Sequence, residues 1–319
     1  EDQDVTGRVE MVSAAYSQAY CWTVGGESNI RQLTLGRKEL WKYFPGAIVD
    51  TYAVQEPCWT SCLPQILRSL GYRRASLKNP STAWGGYTVG KDASVLNWVG
   101  PDGTSIPTVP RYACEELLQT WETESCNATL EFTEKCIANG VEKPAGMYYQ
   151  DAGWKARPRV EGDHVRFVTW REFFTNILEE PVTDWHFSQE DIRVSLVWGY
   201  GMLQRLAQSV RAAENRITAA EKMASMAAVW NGYPYPAEIL ERAWGELLLA
   251  QHHDAWIVPV ARKPRGSWAE MGAWQAWTCD TIAQEVIRQS AEEMTDSRNT
   301  PVNKPLERQS VRIFNTLGI

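Results

Sequence analysis

The segment Leu247-Leu248-Leu249-Ala250-Gln251-His252-His253-Asp254 joins a run of helix-forming apolar residues to two adjacent imidazoles and a carboxylate. The chain has only 4 histidines in 319 residues, so a neighbouring pair stands out from the composition. Imidazole and carboxylate groups are ligands that zinc prefers. The segment therefore predicts the end of a buried helix that carries a metal or catalytic site, with solvated surface histidines as the alternative.

Long helical periodicity surrounds this segment. Apolar residues recur at helical spacing, with Ala-, Glu- and Arg-rich faces, over residues 188–229, 236–251 and 267–297. Pro234 and Pro236 separate the first of these stretches from the second, and Pro236 suits a first helical turn. The pattern predicts a three-helix bundle.

The first half of the chain has a different pattern. From residues 9–14 onward, short β-rich runs alternate with amphipathic stretches, which predicts the βα units of a partial (β/α) barrel. The turn Pro101-Asp102-Gly103 predicts a hairpin-like insertion. The expected fold class is α/β, with a partial barrel over 1–185, a helical bundle over 186–305, and over 306–319 the first strand of a β-sandwich domain.

Charge and hydropathy exclude several classes of protein. A net charge of −7 argues against nucleic acid as a partner, because phosphate binding needs a basic surface. No apolar run approaches the roughly 20 residues that span a bilayer, and the first residues lack a signal-peptide pattern. The 7 cysteines are too few for a disulfide-stapled scaffold, so the compartment stays open, with a periplasmic or extracellular location among the options.

The 16 tryptophans are an unusually large number for this length. Several have polar neighbours, and flat indole rings with polar neighbours suit the faces of sugars. The alternative for each ring is a place in the core. The tryptophans in polar surroundings include Trp98, Trp154, Trp185, Trp256 and Trp274.

Three carboxylates stand near the ends of predicted strands. Asp50 and Asp151 each follow an apolar run, and Glu56 lies in the turn before the helix that starts near Leu63. Two such groups about 5–5.5 Å apart can divide the work of retaining glycoside hydrolysis. The alternative is that each is a capping or turn residue.

Taken in order, six segments resemble the family 38 glycoside hydrolases, which are zinc-dependent retaining α-mannosidases. The segments are Gly26-Glu27-Ser28-Asn29-Ile30-Arg31-Gln32, Leu63-Pro64-Gln65-Ile66-Leu67, Tyr149-Gln150-Asp151, Glu214-Asn215-Arg216, Ala243-Trp244 with residues 247–254, and Phe314-Asn315-Thr316-Leu317. The resemblance implies a hydrolase of α-linked, most plausibly α-mannosidic, glycans that uses zinc as its cofactor.

The resemblance also implies a role for individual residues. His253 would bind zinc, and Asp151 would be the acid/base. Lys78 lies near the position of a family arginine that contacts the nucleophile loop. The further residues expected to bind substrate are Trp154, His252, Asp254 and Trp256.

The chain departs from the family at two points. Gln55 stands where the nucleophilic aspartate is expected, so the neighbouring Glu56 is predicted to be both nucleophile and zinc ligand. No histidine precedes His164, so a His-x-Asp ligand pair is missing, and the chain is expected to start after the first barrel strand and to lack the C-terminal β domains.

These departures leave other interpretations open. One is a catalytically impaired relative that binds carbohydrate, and another is a metal-free scaffold. Besides a carbohydrate, the open partners are the remainder of a longer chain and a second copy in a homo-oligomer.

Overall fold

The described part of the chain forms two compact units. A computed structural model describes residues 9–54, 58–78, 87–115, 124–126, 129–150, 165–178, 181, 183–193, 203–264, 266–295 and 314–316. The units divide between Trp198 and Gly199. The first is a mixed α/β unit and the second is helical, so the predicted fold class is confirmed.

A five-stranded sheet organises the first unit, in the order β1-β2-β5-β4-β8. The strands β1, β2 and β5 are mutually parallel, as expected for βα units. The sheet strands are β1 (Thr51–Ala53), β2 (Arg74–Ser76), β4 (Leu96–Val99), β5 (Ser105–Val109) and β8 (Asp184–His186).

The predicted hairpin around Gly103 is present, but it is part of the main sheet. Its strands β4 and β5 are antiparallel, β5 pairs in parallel with β2, and β4 pairs in parallel with β8. Gly103 has a φ of 84°, a left-handed conformation that glycine adopts without strain. The hairpin therefore reverses the strand direction within the sheet, which a regular barrel does not do.

Four short strands form two separate pairs outside the main sheet. Both pairs are antiparallel, β3 with β9 and β6 with β7. Their bounds are β3 (Tyr87–Thr88), β6 (Glu124–Cys126), β7 (Tyr148–Gln150) and β9 (Ile192–Arg193). A single turn of 3₁₀ helix, Gln189–Asp191, leads into β9.

The helices of the first unit cover the sheet with apolar faces. The core of this unit includes Trp59, Leu67, Trp98 and Trp185, all at most 6% exposed. The helices are α1 (Gly26–Tyr43), α2 (Leu63–Ser69), α3 (Leu130–Ala138) and α4 (Trp170–Glu172), and α4 continues into a π-helical turn, Phe173–Ile177. Trp98 and Trp185 are thus core residues rather than sugar platforms.

The predicted strand at residues 9–14 is not a strand. The segment lies beside β1, where the Ser13 N–H donates to the Thr51 carbonyl at 3.0 Å. Ser13 and Ala14 have φ values of 62° and 48°, and this left-handed backbone prevents a continued strand ladder.

Three long helices pack together in the second unit, as predicted. They are α5 (Gln204–Asn231), α6 (Ala237–Ala250) and α8 (Trp268–Thr295), with a short helix α7 (Asp254–Ile257) and the strands β10 (Arg262–Lys263) and β11 (Gly266–Ser267) between the last two. Helix α5 ends at Gly232, whose φ of 71° caps it, and Pro236 precedes α6.

The end of the chain is described only at residues 314–316. These residues form no strand, and Phe314 packs against Met223, Ala227 and Met294 of the helical unit. The predicted strand over 306–319 and the predicted boundary at residue 185 stay predictions. None of the described helices is long and apolar enough to cross a membrane.

Candidate metal centre

The His-His-Asp segment occupies the turn between two helices. Helix α6 ends at Ala250, and the buried side chains of Trp244, Leu247 and Leu248 anchor its last turns in the core. The backbone then turns within a few residues, because the Ala255 N–H donates to the His252 carbonyl at 3.0 Å as α7 begins. The segment therefore projects from a well-packed helix end.

The side chains of His252, His253 and Asp254 converge. One donor atom from each lies within 4.8 Å of the others, and no second group of three His, Cys, Asp or Glu residues converges in this way within the described residues. Nε2 of His253 lies 3.7 Å from Oδ1 of Asp254. His253 is only 5% exposed, whereas the Asp254 side chain is 38% exposed. The group is thus open to solvent on the carboxylate side.

His252 is held as a neutral imidazole. Its Nδ1 accepts the Asp254 backbone N–H at 3.1 Å, and its ring stacks with those of His253 and Trp268, at centroid distances of 4.5 and 5.9 Å. Burial and the neighbouring His253 lower the pKa of His252 to about 4, against the opposing effect of Asp254. Because Nδ1 is engaged, the proton of the neutral ring is on Nε2. His252 is therefore a hydrogen-bond donor rather than a metal ligand in this arrangement.

The remaining donors fit part of a zinc site. Two ligands of one tetrahedral zinc ion, each about 2.1 Å from the metal, lie roughly 3.4 Å apart. The separation of 3.7 Å between His253 and Asp254 is close to that value. A catalytic zinc has three protein ligands, so at least one more must come from elsewhere in the protein. The sequence predicts Glu56 for this role, and Glu56 lies outside the described residues.

A buried polar network packs against the residue that precedes the His-His-Asp segment. Glu214 on α5 is 4% exposed, forms an ion pair with Arg211, and accepts a hydrogen bond from Nε2 of Gln251 at 3.5 Å. Gln251, which is 1% exposed, directly precedes His252. Glu214 is not among the predicted site residues, although a charged residue on the apolar face of Val210, Ala213 and Ile217 indicates a buried ion pair.

Lys78, predicted to contact substrate, is buried in the first unit. Its side chain is 2% exposed and forms an ion pair with Glu115. Its ammonium group also lies 3.6 Å from the centroid of the Tyr112 ring. Burial lowers the pKa of Lys78, and Glu115 opposes that effect. The predicted contact of Lys78 with substrate stays a prediction.

Trp256, a second predicted substrate contact, lies in the core of the helical unit. Its side chain is 1% exposed. By contrast, Trp274 on α8 is 56% exposed. The predicted sugar contact of Trp256 stays a prediction.

The two predicted catalytic carboxylates, Glu56 and Asp151, lie outside the described residues, as do Gln55 and Trp154. The strands predicted to precede Glu56 and Asp151 are present in the structure. β1 ends at Ala53, shortly before Glu56, and β7 ends at Gln150, directly before Asp151. β7 pairs with β6 rather than with the main sheet.

Asp50 lies at the opposite end of β1 from the one expected. The sequence places Asp50 after an apolar strand, but β1 starts at Thr51, so Asp50 precedes it. Its carboxylate accepts hydrogen bonds from Arg74 at 3.3 Å and from Arg171 at 3.2 Å. Catalytic residues in (β/α) barrels stand at the carboxyl ends of strands, so Asp50 is a structural ion-pair residue.

Comparison with known proteins agrees with this architecture. Residues 200–300, which include the His-His-Asp segment, match the family model of the α-mannosidase middle domain. No curated protein matches the chain.

Two solved structures from Enterococcus faecalis share its fold. One is a protein in glycosyl hydrolase family 38, with a TM-score of 0.52, 18% identity, and coverage of 88% of this chain and 30% of that one. The other is an α-mannosidase from strain V583, with a TM-score of 0.53, 17% identity, and coverage of 88% and 34%. This chain thus spans about a third of their length. Residues 200–300 are thus similar to an α-mannosidase middle domain, and the chain shares the fold of these two solved structures.

Proposed function

We propose that the chain is part of a retaining α-mannosidase that cleaves α-mannosidic linkages with zinc as its cofactor. The observation that carries this proposal is the convergence of His253 and Asp254 in the region that matches an α-mannosidase middle domain. An imidazole nitrogen and a carboxylate oxygen at 3.7 Å are donors suited to one zinc ion. The likeness to a solved α-mannosidase supports the choice of substrate class.

The proposed reaction is a double displacement. The Glu56 carboxylate attacks the anomeric carbon while the Asp151 carboxyl group protonates the leaving oxygen. Asp151 then removes a proton from water, which attacks the same carbon and releases Glu56.

The residues of the candidate metal centre would bind and orient the sugar. His253 and Asp254 would hold zinc, with Glu56 as a further ligand, and zinc would polarise the sugar hydroxyls. His252 is neutral at pH 7, so its Nε2–H can donate to a sugar hydroxyl. Lys78, Trp154 and Trp256 are the other residues proposed to act in substrate binding.

Hydrolysis of an aryl α-mannoside tests the catalytic assignments. The Asp151→Asn and Glu56→Gln variants should each lower kcat at least about 100-fold, because each removes a group that acts in bond cleavage. Asp50→Asn is the matched control, since its carboxylate binds Arg74 and Arg171, and it should leave kcat within a few-fold of the parent. Full activity of Glu56→Gln would contradict the nucleophile assignment.

A second function is a relative of the family that binds sugar without cleaving it. Gln55 favours it, because an amide side chain stands where the nucleophilic aspartate is expected and cannot attack an anomeric carbon. Calorimetric titration with a mannoside separates the two functions. Binding with no release of mannose over a long incubation would select the non-catalytic function.

A further inference from the structure

Two cysteines of the first unit lie close together. The Sγ atoms of Cys114 and Cys136 lie 3.7 Å apart. Cys114 stands in the turn after β5, and Cys136 is on α3 and fully buried. Both pack in a hydrophobic cluster that also contains Val109 and Tyr112. The surrounding core therefore fixes the approach of the two sulfur atoms.

We propose that Cys114 and Cys136 are a site of covalent modification, where a small disulfide oxidant converts the thiol pair into an intrachain disulfide. A disulfide bond is about 2.05 Å long, so the sulfur atoms must close the remaining gap. Because the sulfur atoms are already 3.7 Å apart, a movement of less than about 2 Å brings them to bonding distance.

The two thiols would react in sequence, because they differ in solvent exposure. Cys114 is partly exposed and would attack the oxidant first, giving a mixed disulfide and one released thiol. Burial raises the pKa of Cys136 to about 12, and the nearby Lys78 ammonium opposes this effect. Cys136 would then lose its proton and attack the Cys114 sulfur, which releases the second thiol. Two protein thiols are oxidised, and one disulfide of the oxidant is reduced to two thiols.

The bond would restrain a defined part of the chain. The cysteines are 22 residues apart, and the loop between them carries β6. Closing a loop of this length restricts the unfolded chain and should raise the melting temperature by roughly 5–10 °C. Glu115 follows Cys114 directly and pairs with Lys78, so the bond would also hold Glu115 in place.

The test is oxidation of the full 319-residue chain with oxidised glutathione, followed by intact mass and peptide mapping. The proposal expects a loss of about 2 Da, a cross-linked peptide pair containing Cys114 and Cys136, and reversal by dithiothreitol. Cys279→Ser is the matched control, because Cys279 is buried in the other unit and should not affect the result.

Variants of each single cysteine test whether the disulfide joins Cys114 and Cys136. Cys114→Ser and Cys136→Ser should each abolish the cross-link and the rise in melting temperature, and Cys114→Ala gives a second test if the serine variant folds poorly. The proposal is overturned if both cysteines remain open to alkylation after oxidation. It is also overturned if Cys114 stops at a stable glutathione adduct with no bond to Cys136.

Discussion

Nε2 of His253 lies 3.7 Å from Oδ1 of Asp254, although the two residues are neighbours along the chain. The short distance arises because α6 ends just before them and α7 starts at Asp254, so the side chains leave a tight turn on the same side. His252 is excluded as a third ligand because its Nδ1 already accepts the Asp254 N–H. The proposed zinc site rests on this arrangement.

His252 should make stability depend on pH in metal-free buffer. Its pKa is lowered to about 4 in the folded protein, whereas an unfolded histidine titrates near 6.5. The unfolded chain thus binds the extra proton first, and stability falls as the pH drops from about 6.5 to 4, by on the order of 3 kcal/mol. Below both pKa values the effect of His252 is constant.

Urea unfolding of the parent and of His252→Asn at several pH values measures this contribution. Asparagine keeps an acceptor for the Asp254 N–H but does not titrate. The difference in unfolding free energy between the two proteins should change across this pH range. A difference that is independent of pH would show that His252 has an ordinary pKa in the folded state.

The ion pair between Lys78 and Glu115 should be costly to break. Both side chains are at most 6% exposed, so Lys78→Met leaves a buried carboxylate without its partner. The expected loss is about 3–5 kcal/mol in urea unfolding. The double variant Lys78→Met, Glu115→Gln removes both charges and should recover much of this loss. A loss below about 1 kcal/mol for the single variant would show that the pair is not buried in solution.

Gly36 should resist substitution even though it lies within α1. A Cβ atom there would come within 2.1 Å of the Ala14 carbonyl oxygen and 2.4 Å of the Tyr16 nitrogen. Alanine normally favours a helix by about 1 kcal/mol over glycine, but this backbone contact should make Gly36→Ala destabilising by at least about 2 kcal/mol.

Gly26→Ala is the matched control on the same helix. No atom lies within 4 Å of the Cβ position at Gly26, so this variant should change stability by less than about 1 kcal/mol. Thermal unfolding of both variants measures the contrast. Equal stability of the two would contradict the close crossing of residues 14–16 over α1.

Local sequence patterns were sufficient to predict the helical unit. The periodicity and the prolines near residue 235 predict three helices, and α6 and α8 begin and end within two residues of the expected positions. The first helix was predicted to start near residue 188, but α5 starts at Gln204. The polar residues around Ser188 instead form a capped 3₁₀ turn, which helical periodicity does not distinguish from a helix start.

Strand bounds and pairing were harder to predict. β1 has only three residues, so placing it one strand-length too early puts Asp50 at its carboxyl end instead of before it. Pairings such as β7 with β6, and contacts such as Lys78 with Glu115 or Cys114 with Cys136, join residues far apart in the sequence. Such contacts depend on tertiary packing, so they cannot be predicted from local sequence patterns.

The zinc content of the purified chain, measured by elemental mass spectrometry after dialysis against metal-free buffer, shows whether His253 and Asp254 form a metal centre. We expect about one zinc per chain, lost in His253→Ala and retained in His186→Ala, a control on strand β8 in the other unit. A parent chain without zinc, or zinc that persists in the His253→Ala variant, would contradict a metal centre built on His253 and Asp254.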